Sequence, residues 1–148
     1  MHRRNLLSGA MIALGGLFGA SAAKAASPSG VPDKSKVVYH LNELDKVSFV
    51  LGNIDNHYEG AGGPDKVSIV LVVHGPALKA FHSASAKPDL KEKLQKFSKT
   101  LELNACGNTM KAQNVGLAEL MPGFIKVDQG GVVRIAELQA QGYAYLRP

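Results

Sequence analysis

Val67-Ser68-Ile69-Val70-Leu71-Val72-Val73-His74-Gly75 is the stretch that decides the fold of this 148-residue chain. Only Ser68 interrupts a run of Val, Ile and Leu. A strand with one wet face alternates apolar and polar residues. A run without alternation, bounded by glycine and proline, reads as a strand buried on both faces, the pattern of central parallel strands.

Working outward from that strand, the rest of the chain alternates strand and helix. Upstream, Val37-Val38-Tyr39-His40-Leu41 is β-branched and aromatic and predicts a first strand. Asn42 follows as a helix N-cap, with Glu43 in the first turn. Apolar residues at 44, 47, 50, 51, 54 and 58 then share one helical face. Gly60 to Pro64 ends that helix. Downstream, Pro76 to His82 predicts a short helix. Leu90 to Leu101 predicts an amphipathic one, with apolar residues at 90, 94, 97 and 101 and lysines outside. Leu101 to Ala105 reads as a third strand and Thr109 to Met121 as mostly helical. Phe124 to Val127 reads as a fourth strand after the Pro122-Gly123 break. Val132 to Gln141 is a helix closed by Gly142, and Tyr143 to Leu146 is a last edge strand. This order predicts an α/β domain, a three-layer α/β/α sandwich around a mostly parallel sheet with right-handed crossovers.

The N-terminus carries an export pattern. Arg3-Arg4 precedes an apolar, Gly/Ala-rich stretch that runs to about Ala23 without an acidic residue, and Ala23-Lys24-Ala25 offers an A-x-A cleavage site. The pattern resembles a twin-arginine signal over residues 1–25, which addresses a folded protein to the periplasm. Residues 26–35 read as a flexible leader and residues 36–148 as one domain. Cleavage would remove three of the 17 basic side chains and none of the 12 acidic ones, taking the formal charge from +5 to +2. The basic balance therefore belongs partly to the signal, and nothing in it argues for nucleic acid. No stable membrane span is expected once the signal is gone.

Cys106 is the chain's one cysteine. In an oxidising compartment it has no partner in its own chain, so it is a packing residue, an intermolecular staple or a reactive group. Its setting, Leu103-Asn104-Ala105-Cys106-Gly107-Asn108-Thr109, places it where a strand meets a helix start. Free N–H groups at a helix start stabilise a thiolate.

Ligands of open α/β sheets bind outside the carboxyl ends of the strands. His40 ends the first predicted strand, His74 the second and Cys106 the third, which makes these three the candidate catalytic residues. An imidazolium beside the sulfur would lower the thiol pKa further. Gly107, Asn108, Thr109 and Asn42, at the same strand ends, are candidate ligand-binding residues. The plainer reading of His40 and His74 is a satisfied rim histidine each, and His57 and His82, on predicted helices, read as surface residues. Cys and His are good metal ligands, yet no close-spaced pair such as C-x-x-C or H-x-x-x-H occurs, and no metal or other cofactor is expected. Glu59-Gly60-Ala61-Gly62-Gly63 lacks the Lys-Ser/Thr of a P-loop, and no G-x-S-x-G element is present.

Four segments in order carry a family resemblance: Val37 to Leu41, Val72-Val73-His74-Gly75, Ala105-Cys106-Gly107-Asn108-Thr109, and the end Glu137-Leu138-Gln139-Ala140-Gln141-Gly142-Tyr143-Ala144-Tyr145. From about Lys36 to Pro148 the chain resembles the DsrE/DsrF-like family, in particular its exported single-domain branch. The resemblance implies a parallel five-stranded sheet between helices and a homo-oligomer, trimer or hexamer. It also implies a cysteine that carries sulfur as a persulfide, a role that maps onto Cys106.

The leading expectation is thus a periplasmic sulfur-handling protein, a sulfurtransferase or a stoichiometric carrier. Cys106 takes sulfane sulfur from a small-molecule or protein donor and passes it to an acceptor. His74 and His40 ionise the thiol or position an anionic sulfur species. A second reading is a non-enzymatic ligand or metal binder, with His40, His74 and Cys106 lining a pocket between subunits. A third is a structural or partner-binding module whose tail, Gly142 to Pro148, serves an interface.

Overall fold

The computed structural model describes residues 34–148. The signal expected over residues 1–25 and most of the expected leader lie outside the described residues. Five strands form one sheet: β1 (Ser35–Leu41), β2 (Val67–Val73), β3 (Leu101–Cys106), β4 (Phe124–Val127) and β5 (Ala144–Leu146). Every pairing is parallel, and the order across the sheet is β4-β3-β2-β1-β5. The first strand starts at Ser35, one residue inside the expected leader, where the Ser35 N–H donates to the Lys66 carbonyl at 3.0 Å.

Four α-helices connect the strands: α1 (Val47–Gly60), α2 (Pro88–Lys96), α3 (Gly107–Ala112) and α4 (Gly131–Ala140). Three 3-10 turns, Leu44–Lys46, Gly75–Phe81 and Leu117–Glu119, complete the connections. The order of the strands decides which face each helix covers. From β1 to β4 the chain steps one way across the sheet, so its right-handed crossovers fall on one face. The β4-to-β5 step runs back past β1, which throws α4 onto the other face.

The two faces are unequal. Val37, Tyr39, Leu41, Ile69, Leu71 and Val73 point into the larger core, against Val50, Leu51 and Ile54 of α1, Phe81, and Leu90 and Leu94 of α2. The intervening residues Val38, Val70 and Val72 meet only Ile135 and Leu138 of α4, with Tyr143 at the margin. Each fully buried Leu, Ile or Phe in these layers contributes about 1.5–3 kcal/mol by leaving water. β2 has both faces covered, as its unbroken apolar run requires.

Several local expectations are corrected. Asn42 is not a helix N-cap: the Leu44–Lys46 turn intervenes, α1 starts at Val47, and Leu44 is exposed rather than part of the buried stripe. The expected Leu90 to Leu101 helix stops at Lys96. Phe97 closes it, and the Thr100 and Leu101 N–H groups both turn back onto the Phe97 carbonyl. The expected helix from Thr109 to Met121 is instead α3 followed by turns. Asn114 takes a left-handed φ of 50°, and Val115 N–H bonds back to Met110, ending the helix after one and a half turns. The short helix expected over Pro76 to His82 is a 3-10 turn.

Candidate functional site

Register fixes the site. His40 lies opposite Val72, and Val72 opposite Asn104. Side chains alternate along a strand, so these three share the α4 face. His74 and Cys106, each two residues further along, stand on the same face at the carboxyl ends of β2 and β3. β1, β2 and β3 are neighbours, so the thiol and both imidazoles line one rim.

The Cys106 environment is built from two helix starts. Cys106 is the N-cap residue of α3, so the first N–H groups of that helix lie beside its sulfur. Gly107 has to be glycine there: a Cβ on it would sit 2.9 Å from the Val127 carbonyl oxygen. The second start is that of α4. A Cβ on Gly131 would lie 3.3 Å from both Cys106 Cβ and Val72 Cγ1, and 3.5 Å from His74 Cβ. The bare backbone of Gly131 is what lets the α4 N-terminus close over the thiol. Gly130 before it has a left-handed φ of 99°, and the Asn108 amide packs against it.

Cys106 is 6% exposed. Burial pushes its thiol pKa up. The N–H groups of Gly131, Thr109 and Asn108 and the Thr109 hydroxyl outweigh that, and the thiol is held below its ordinary value. The donors are dipoles of two helix starts, and no side-chain charge is among them.

The two rim histidines pair with each other. His40 and His74 stack, with ring centroids 4.6 Å apart and 18° between planes, and their Nε2 atoms face each other in a hydrogen bond. His40 Nδ1 meets the Tyr145 hydroxyl at 2.7 Å. Burial lowers both pKa values, and the Arg147 guanidinium adds to it; that of His40 falls to about 4, with His74 itself contributing. Both rings are therefore neutral near pH 7. His40 and His74, expected to help ionise the thiol or to position an anionic sulfur species, have lowered pKa values that disfavour an imidazolium at the rim near neutral pH. His74 does flank the thiol, across Gly131.

Asn42, expected to cap or bind, is engaged by the C-terminal tail. Arg147 donates to Asn42 Oδ1 at 3.1 Å and to Glu43 Oε1 at 2.8 Å. The Asn42 carbonyl accepts from Ala77 N–H at 3.1 Å. Asn108 is exposed at the mouth of the site, Thr109 half-buried and Gly107 buried. His57 and His82, expected at the surface, are half-buried and bonded, to the Tyr39 hydroxyl at 2.9 Å and Gln113 Oε1 at 3.0 Å. Among the described residues, no group of three or more His, Cys, Asp and Glu side chains is arranged to hold a metal ion.

The sequence reading missed Gly130-Gly131. The signal was present: two glycines between a strand and a helix mark a close backbone approach. What they approach is 25 residues earlier in the chain, beyond any local pattern.

Comparison with known proteins agrees with this architecture. The family model of the DsrE/DsrF-like family matches residues 22–148. No curated protein matches the chain. Among solved structures, the fold is similar to that of MTH1491 from Methanobacterium thermoautotrophicum, a protein of unknown function. The TM-score is 0.66 at 23% identity, over 77% of this chain and 99% of that one. Among the described residues, no helix is long and apolar enough to cross a membrane.

Proposed function

The chain belongs to the DsrE/DsrF-like family, which is generally linked to sulfur relay, and we propose that its Cys106 carries sulfane sulfur as a persulfide. The observation that supports this most is the convergence of N–H groups from two helix starts on one nearly buried sulfur. Such a setting favours a thiolate, the nucleophilic form, without a neighbouring base.

The chemistry needs no outside oxidant. The Cys106 thiolate attacks the terminal sulfur of a donor persulfide R–S–SH. A Cys106–sulfur bond forms, the donor S–S bond breaks, and R–S⁻ leaves with the electron pair. The terminal sulfur keeps its proton and its oxidation level. An acceptor thiolate then attacks the outer sulfur of the Cys106 persulfide and returns Cys106 as a thiolate. The same donor groups favour thiolate and deprotonated persulfide alike. The neutral His40–His74 pair serves as a rigid, polar rim at the mouth.

Donor and acceptor dock at the thiol end of the domain. Val132 and Val133, immediately after Gly131, are 68% and 48% exposed, an apolar step beside the reactive sulfur that suits a protein partner or a second copy. The protein works as a homo-oligomer in the periplasm, addressed there by the Arg3-Arg4 signal. Arg3→Lys/Arg4→Lys in the full chain should retain it in the cytoplasm on cell fractionation; unchanged export would remove the twin-arginine assignment.

Sulfane uptake tests the main reading. Purified protein incubated with polysulfide or thiosulfate should release one equivalent of sulfur to cyanide, and the Cys106→Ser protein none. Equal release from both would overturn it. The alternative of a metal binder on His40, His74 and Cys106 has less support, because the two Nε2 atoms are bonded to each other.

A further inference from the structure

Among the described residues, Asn104 is the one amide or charged side chain that the core buries, at 1% exposure. It stands on the α4 face of β3, two residues before Cys106, and its neighbours in register are Val72 and Ile125. A polar side chain on an apolar face costs stability unless its polar atoms are bonded. Asn104 has both ends bonded. Arg134 Nε donates to Asn104 Oδ1 at 2.9 Å, and Asn104 Nδ2 donates to Glu102 Oε1 at 2.9 Å. Arg134 Nη2 closes the ring by donating to the same Glu102 oxygen at 3.1 Å. A guanidinium only donates and a carboxylate only accepts, so the orientation of the amide between them is fixed.

Arg134 lies in the first turn of α4, and its own N–H donates to the Gly130 carbonyl at 3.1 Å. On the outer side of the helix, Gln129 Nε2 donates to Glu137 Oε2 at 3.0 Å, and that carboxylate lies 3.8 Å from Arg134 Nη1. The lacing therefore spans the two glycines, with Gln129 before them, Arg134 and Glu137 after them, and β3 beneath. Consecutive glycines leave the backbone its widest freedom. Here that backbone has to lie still, with Gly131 against carbons of Cys106, Val72 and His74. Ile135 and Leu138 seat α4 on the sheet by apolar contact, which has no direction. The planar Arg134 fork does have one.

We propose that Arg134 is a positioning residue for Cys106: clamped on Asn104 and Glu102, it fixes the Gly130-Gly131 start of α4 over the strand end that carries the thiol. This deepens the sulfur-carrier reading and rests on Cys106 being the working group. Arg134 makes no bond to the sulfur. Its route is contact throughout, from the guanidinium to β3 on one side, and on the other through the first turn of α4 to the Gly131 backbone, which packs on Cys106.

The test reads the pH dependence of Cys106 alkylation by iodoacetamide, with no sulfur donor present. Arg134→Met should slow alkylation at pH 7 by roughly three- to tenfold and move the midpoint upward, as the start of α4 lifts from the thiol. Arg134→Lys, which keeps the charge and loses the fork, should recover part of the rate. Glu102→Leu should slow alkylation too, by roughly two- to threefold. That sign separates positioning from charge, because loss of a carboxylate acting through space would lower the thiol pKa and speed the reaction. In a Gly131→Ala background, where the start of α4 has already moved, Arg134→Met should have a smaller effect than in the parent. If Arg134→Met does not fold, Glu137→Leu, on the outer side of the lacing, should slow alkylation by roughly twofold. An unchanged pH profile in the folded variant, or opposite shifts in Arg134→Met and Glu102→Leu, would overturn the proposal. Alkylation reads the thiol whether or not it carries sulfur, so failure of the sulfur-carrier reading leaves this result legible.

Discussion

His40 and His74 are stacked with their Nε2 atoms facing, a pairing that requires one ring to donate and the other to accept. At least one ring must be neutral to satisfy it, since two imidazolium rings would turn N–H against N–H, and burial lowers the pKa of both. The folded state therefore binds these protons less readily than the unfolded chain. A lowered histidine pKa contributes stability that is present above the unfolded value of about 6.5 and is lost as the pH falls through the window down to about 4. The melting temperature should drop across that window by roughly 3–6 °C for each kcal/mol involved. In His40→Asn the drop should be visibly shallower. Equal slopes in the parent and the variant would mean that the pair does not resist protonation.

Much of this fold was legible in residue order. The unbroken apolar run of β2 required two covered faces, and two faces required helices on both sides. The three- and four-residue spacing of Val47, Val50, Leu51, Ile54 and Tyr58 gave α1 its buried stripe. Helix ends were harder, because they depend on tertiary partners. Lys111, Ala112 and Gln113 are acceptable helix formers, yet Asn114 turns left-handed and α3 stops. Asn42 looks like a cap in isolation, but its carbonyl and side chain are taken by Ala77 and Arg147, the latter 105 residues away. The site was half legible. Strand ends placed Cys106, His74 and His40 on one rim, whereas the neutrality of the histidines follows from burial and Arg147, neither of which a local pattern carries.

Glycine spacing over the thiol gives a second expectation. The Cβ of a Gly131→Ala protein meets carbons of Cys106, Val72 and His74 at 3.3–3.5 Å, so the start of α4 must move outward by a few tenths of an ångström. Stability should fall by about 1 kcal/mol, and Cys106 alkylation should slow as the Gly131 N–H withdraws. Gly52→Ala, in the middle of α1 with nothing within 4 Å, is the control and should stabilise by about 0.5–1 kcal/mol. Unchanged alkylation in Gly131→Ala would remove the α4 N-terminus from the thiol's environment.

Leu138 ties stability to reactivity. It is 1% exposed and, with Ile135, supplies most of the contact between α4 and the sheet. Leu138→Ala should cost about 2–5 kcal/mol and, by loosening α4, slow Cys106 alkylation as well. A Leu90→Ala protein, altered on the opposite face, should lose stability and keep the alkylation rate. Chemical denaturation and alkylation on the same samples separate the two. Equal slowing in both variants would show that reactivity follows general stability and not the placement of α4.

The central claim is that Cys106 carries sulfur, and intact mass addresses it most directly. Purified protein exposed to polysulfide, then freed of small molecules, should gain the mass of one sulfur atom. Peptide mapping should place the gain on Cys106, and an added thiol should remove it. Cys106→Ser should gain nothing. A parent protein that stays at its original mass at every donor concentration, with a thiol that alkylates no faster than free cysteine, would contradict the account and leave Cys106 as a packing residue under α4.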